Sequence, residues 1–128
     1  MNDRMYPPNN TLPFVCALMR QLEGAGLRTW LFGGWAEEVW QLCAPRAHRD
    51  IDLLYVASDF QRLDGWTSQQ GEIEPVVGKR FHHKRAFIYQ GVLVEVFLLE
   101  HSDKCYITKY FGDKYVLTWP KGTLSGGN

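Results

Sequence analysis

The sequence predicts one small α/β (α+β) domain, a mixed β-sheet with packed helices, on three observations. An apolar stripe at helical spacing opens the chain, a strand, a glycine pair and a helix follow in that order, and several short apolar runs succeed one another after residue 50. At 128 residues there is room for one domain with its own core and not for two. The 45% hydrophobic and 14% aromatic content fits a folded globule, and no internal repeat or linker divides it.

Residues 1–10 are polar, carry Pro7 and Pro8, and read as an irregular lead-in to a domain over 11–119. Phe14, Val15, Leu18, Met19 and Leu22 recur at helical spacing and read as core; Thr11 can cap the start, and Gly24 and Gly26 can end the helix in left-handed geometry. Arg28 to Phe32 is a short strand, after which Gly33-Gly34 turns the backbone into a second helix. Its positions Trp35, Ala36, Val39, Trp40 and Cys43 describe one apolar face, with Glu37, Glu38 and Gln41 on another, until Pro45 enforces a stop. Trp30, Trp35 and Trp40 read as core rather than as stacking surfaces for a base.

Ile51 to Val56 is the next strand, followed by a short helix around Asp59 to Leu63 and a polar turn near Gly65. Further strands are expected at Pro75 to Val77, Arg85 to Tyr89 and Val92 to Leu98, the last two joined tightly at Gln90-Gly91. Cys105 to Tyr110 and Lys114 to Trp119 supply an edge strand or a packing arm, whose Tyr106, Tyr110 and Tyr115 suit an acceptor groove or a dimer surface. Residues 120–128 have the glycine and serine content of a flexible tail.

Composition excludes several function classes. The 14 Lys+Arg balance 14 Asp+Glu, so there is no basic field and no strong nucleic-acid signal. Cys16, Cys43 and Cys105 are widely spaced with no CxxC pair, which argues against a disulfide framework or a thiolate zinc site and for the cytoplasm. No apolar leader and no run of about 18 apolar residues occurs, so neither export nor a membrane is expected. The adjacent His82 and His83 diverge on an extended strand and do not make a zinc site.

The chemistry-bearing residues are acidic. In an extended segment Asp50 and Asp52 face the same way beside the buried Ile51 and Leu53, offering hard oxygens of the kind Mg²⁺ prefers. Such a pair serves equally as a solvated strand entrance. Glu95 interrupts the apolar run Val92 to Leu99, where an unpaired charge would be costly to bury. Either it lies on the solvent face of an edge strand, or it points into the pocket of the aspartates and makes three carboxylates for two metals. Gly33-Gly34 can keep side chains away from a triphosphate approaching the backbone, although neither a Walker A loop nor GxGxxG is present. A simple strand-to-helix turn needs the same glycines. Among the cations of Lys79 to Arg85, Lys84 and Arg85 are the candidates for the phosphates; the alternative is a solvated rim. His48 could orient a carboxylate or meet phosphate, but a loop cap or surface histidine is the plainer reading, and Arg46 lies in a turn that does not place it.

Trp30-Leu31-Phe32-Gly33-Gly34-Trp35-Ala36, then His48-Arg49-Asp50-Ile51-Asp52-Leu53-Leu54, resembles the catalytic core of the polymerase-beta-like nucleotidyltransferase superfamily, in its aminoglycoside and lincosamide branch. The resemblance covers about residues 12 to 100 and lies in the ordered combination of two short motifs. It implies a minimal nucleotidyltransferase fold and two Mg²⁺ ions. It also implies transfer of a nucleoside monophosphate from an NTP, ATP by expectation, to a hydroxyl of an aminoglycoside- or lincosamide-like small molecule, with antibiotic resistance as the family-level role. Carried over position by position, Gly33 and Gly34 face the nucleotide, Asp50 and Asp52 are the paired metal ligands, and Glu95 is the third carboxylate, as ligand, base or both. Many relatives carry aspartate there, and larger ones add a C-terminal helical domain for the acceptor, so the expectation is an incomplete acceptor site or one completed by a homodimer or a protein partner. The alternatives are a noncatalytic nucleotide-binding or regulatory module working with a protein partner, and a structural domain that retains the acidic pocket.

Overall fold

A computed structural model describes residues 6–110 and 114–124. Their elements run α1 (Leu12–Gly24), β1 (Thr29–Phe32), α2 (Gly33–Val39), β2 (Asp50–Val56), α3 (Gln61–Gln69), β3 (Ile73–Pro75), a single 3-10 turn (Val77–Lys79), β4 (Lys84–Tyr89), β5 (Val92–Ser102), β6 (Cys105–Tyr110) and β7 (Tyr115–Thr118). The far ends of the expected lead-in and tail, residues 1–5 and 125–128, lie outside the described residues. The strands form a seven-stranded sheet of order β1-β2-β5-β4-β3, extended by β6 on β5 and β7 on β6. Only β2 and β5 pair in parallel; the other described pairs are antiparallel, so the sheet is mixed as expected.

Helix α1 begins where Thr11 Oγ1 accepts the Phe14 N–H. It ends in a Schellman closure: Gly26 sits at φ +81 and its N–H donates to Glu23 O, while the Leu27 N–H donates to Leu22 O. Leu22 and Leu27, both buried, meet across that closure. Strand β5 buries alternate residues Val92, Val94, Val96 and Leu98 in the core with Ile51, Leu53 and Tyr55 of β2 and Phe87 and Tyr89 of β4. Against them pack Val15, Leu18 and Leu22 of α1, and Phe60 and Leu63 around α3. One face of the sheet is thereby covered by helices; the residues between those just named project from the other.

Four expected elements change. Helix α2 stops at Val39 rather than near Pro45, because Gln41 adopts φ +61 and closes it: the Gln41 N–H donates to Glu38 O and the Leu42 N–H to Glu37 O. The apolar face read across this segment is cut short, and Trp40 is 53% exposed instead of core. Gly65 lies inside α3, which runs to Gln69, so the turn expected there forms later. Strand β3 is Ile73–Pro75, and the Val77 expected to end it begins the 3-10 turn. Strand β5 continues to Ser102 and carries the β6–β7 hairpin. The Gln90-Gly91 connection is as expected, both residues having positive φ.

Candidate active site on the open face of the sheet

Asp50 and Asp52, two residues apart on β2, point to the face without α1 and α3. The parallel register sets Asp52 beside Glu95 and Asp50 beside Leu93. One ligand oxygen from each of Asp50, Asp52 and Glu95 lies within 4.8 Å of the others. Glu95 is therefore in the aspartates' pocket and not on an edge strand. It is 8% exposed, and its charge is met by Lys84 Nζ at 2.6 Å and Lys79 Nζ at 3.1 Å, both on Oε2. Lys84 comes from β4 across from Phe97, and Lys79 from the 3-10 turn.

The electrostatics of the two central carboxyls diverge. Asp52 is pushed up to about 7, first by burial and then by the negative charges of Asp50 and Glu95. Burial also pushes Glu95 upward, but hydrogen bonds from Lys84 and then Lys79 outweigh it, and its carboxyl ends below the usual range. Two ammonium groups thus sit on one carboxylate, while at Asp52 their pull is outweighed by burial and by the other two acids. A hard divalent cation with oxygen ligands fits both the donor set and that excess negative charge.

Gly33 is required by this site. It sits at φ +66 in the left-handed region, and a Cβ there would run into Asp52 Oδ2. At Gly34 a Cβ would stand 2.6 Å from an Arg46 guanidinium nitrogen and 3.1 Å from His48 Nδ1. Gly33 thus keeps the wall beside Asp52 thin, whereas Gly34 makes room for Arg46 and His48.

The family profile of aminoglycoside-2''-adenylyltransferase matches residues 14–86, which hold both glycines, both aspartates and both lysines. The chain belongs to that family. Among solved structures, the fold is shared with the lincosamide antibiotic adenylyltransferase LnuA in its lincomycin-bound form, at a TM-score of 0.70 and 16% identity over 86% of this chain and 69% of that one. It is also shared with ANT(2")-Ia in complex with adenylyl-2"-tobramycin, at a TM-score of 0.59 and 18% identity over 73% of this chain; the chain spans about half of that protein, 52%. No curated protein sequence matches at a significant level. Glu95 falls beyond the matched segment of this adenylyltransferase-family chain, so its place beside the aspartates is a finding of the fold.

Behind the carboxylates the family member carries a buried polar brace. His48, 3% exposed, is neither a surface histidine nor a partner of the aspartates: its Nε2 lies 2.8 Å from Glu38 Oε1 and its ring 4.0 Å from that of Trp35. The Glu38 carboxylate also accepts the Arg46 N–H at 3.0 Å, and that backbone bond first, His48 second, holds its carboxyl below the usual range. Asn10, 6% exposed, donates from Nδ2 to His48 O at 3.0 Å and Asp50 O at 3.4 Å, and accepts from Trp35 Nε1 at 3.1 Å. It ties α2 to the start of β2. It lies in the segment read as a lead-in, and no local periodicity marks it.

The basic cluster is split between faces. Lys79 and Lys84 reach Glu95, but Arg85, one residue along β4, turns to the covered face, where its guanidinium holds Asp64 at 2.9 Å and lies over the Phe60 ring. The expected phosphate role of Arg85 has no geometry at the acidic site. Arg80 joins it on Asp64, His82 pairs with Glu100, and His83 stacks between Phe81 and Tyr110. Among the described residues, the acidic trio alone brings together three His, Cys, Asp or Glu side chains able to hold a metal.

Proposed function

We propose that this chain transfers a nucleoside monophosphate from an NTP, ATP in the first instance, to a hydroxyl of a small aminoglycoside- or lincosamide-like molecule. The observation that carries the reading is the meeting of Asp50, Asp52 and Glu95 within 4.8 Å on the open face. Mg²⁺ held there, two ions in this reading, supplies charge stabilisation for the attacking and leaving oxygens.

Asp50 and Asp52 bind from one strand and Glu95 from its parallel neighbour. Glu95, held on Oε2 by Lys84 and Lys79, takes the proton of the acceptor hydroxyl in this reading. The acceptor oxygen bonds to the α-phosphorus as the bond to the bridging oxygen breaks, releasing pyrophosphate in line. Lys79 and Lys84 also neutralise the phosphates, and Gly33 leaves room for them beside Asp52. Arg85 takes no part.

A second copy or a protein partner completes the acceptor side in this reading, detectable as acceptor-dependent assembly in sedimentation. We place the reaction in the cytoplasm, a setting that suits the free Cys16, Cys43 and Cys105. Among the described residues no helix is long and apolar enough to cross a membrane. The deciding experiment follows Mg²⁺-dependent pyrophosphate release with hydroxylated aminoglycosides and lincosamides and weighs the product. An acceptor heavier by one nucleoside monophosphate is expected; nucleotide binding with no pyrophosphate from any acceptor would refute the transferase.

A further inference from the structure

We propose that Phe32, Phe97 and Trp119 form the platform on which the base of the nucleoside triphosphate stacks. The proposal rests on the reading of Asp50, Asp52 and Glu95 as the metal and triphosphate site. Register places Phe32 directly across from Asp52. It places Phe97 two residues beyond Glu95 on the same face of β5, roughly 7 Å along a strand that rises about 3.3 Å per residue, a gap one ribose spans.

The three rings form one continuous wall. Trp119 meets Phe32 edge-on with centroids 5.5 Å apart, and Phe32 meets Phe97 at 6.3 Å. Phe32 stays 37% exposed although it borders the site. Trp119 is held in orientation: its Nε1 donates to Thr108 Oγ1 at 2.7 Å, and that hydroxyl donates to Leu98 O at 2.7 Å. The rings meet edge to face rather than in one plane, so a base stacks on one ring face and meets the neighbouring rings at their edges.

Charge selects the occupant. Lys84 stands between wall and carboxylates, 2.6 Å from Glu95 Oε2 and 5.3 Å from the Phe97 centroid. Beside that ammonium, a ligand whose ring is joined to an anion can set the anion at Lys84 and its ring on the aromatic side. A nucleoside triphosphate satisfies both halves, with its phosphates toward Lys84 and its base toward the rings. Every base has a π-face, so this contact discriminates weakly among bases.

The test measures binding of Mg²⁺ complexes of ATP, GTP and inorganic tripolyphosphate, which lacks a base, to the full chain without acceptor. We expect ATP to bind about tenfold tighter than tripolyphosphate and GTP to fall within about threefold of ATP. Trp119→Ala should remove most of the nucleotide advantage and leave tripolyphosphate unchanged. Phe97→Leu, which keeps an apolar side chain, should do so in part and guards against a folding defect. Equal binding of ATP and tripolyphosphate by the parent overturns the platform but not the triphosphate site. So does a Trp119→Ala protein that keeps the full ATP advantage, because the wall then serves the acceptor or only packing. If neither ligand binds, the triphosphate site fails and the platform with it.

Discussion

The two faces of the sheet are made by the same strands and obey opposite rules. On the helix-covered face, alternate residues of β5 from Val92 to Leu98 are at most 1% exposed, and the charge that reaches that side, Arg85, is neutralised by Asp64. On the open face the neighbouring residues Glu95 and Phe97, with Asp50, Asp52 and Lys84, gather charge and aromatic surface in one place. Burial of apolar area decides the first face, whereas the second half-buries carboxylates beside one another, and burial first, then the charges of Asp50 and Glu95, raises the Asp52 carboxyl to about 7. Substitutions on the two faces should therefore fail differently, one through stability and the other through activity.

The sharpest break of that contrast is Asp50→Asn or Asp52→Asn. On the proposed reading, losing a ligand for the charge-stabilising cation should lower nucleotidyl transfer by about a thousandfold or more, while circular dichroism stays native and the thermal midpoint does not fall. On the covered face, Phe87→Ala removes a ring that is 1% exposed. It should cost about 3 to 4 kcal/mol in urea unfolding, with the remaining folded fraction still competent.

The acid–base contrast is smaller and has a definite sign. Because the folded protein holds a proton on Asp52 that the unfolded chain releases from about pH 4 upward, metal-free stability is highest at acid pH in this window and falls as pH rises from 3.8 to about 7. The span should be about 2 kcal/mol once solvent screening is allowed for. It should vanish in Asp52→Asn, and Mg²⁺ should restore stability at pH 8. Glu95, with its lowered carboxyl, acts in the opposite sense only below its ordinary value of 4.5. A wild-type stability curve flat from pH 4 to 7 would contradict this account of the open face.

The mildest comparison is between neighbours on β4. Lys84→Ala should weaken binding of Mg²⁺–tripolyphosphate by about tenfold, whereas Arg85→Ala should leave it within about twofold and cost about 1 kcal/mol through the lost Asp64 pair. Calorimetry on the two variants side by side reads out which face each residue serves.

Much of this was legible from local patterns. The stripe from Phe14 to Leu22, the left-handed stop at Gly26, the strand over Ile51 to Val56 and the turn at Gln90-Gly91 each depend on residues close in sequence, and each appears. At helix α2 the local pattern misleads, because the spacing from Trp35 to Cys43 remains helical in the sequence while the backbone closes at Gln41, a residue that carries no glycine's warning. The burial of His48 escapes local patterns, because nothing nearby in sequence announces Trp35 above its ring and Asn10 on its carbonyl.

By itself the sequence determined the order of strands and helices, the shared direction of Asp50 and Asp52, and the oddity of an acid at Glu95, since a period of two or 3.6 residues needs only neighbours along the chain. The tertiary structure decided that Glu95 joins the aspartates, that Lys84 and Lys79 rather than Arg85 attend it, and that Asn10 braces the strand behind them. Alternation tells which residues share a face of one strand. Which residue of a distant strand stands opposite is set by register, and here packing of the covered face fixes the register that assembles the open one.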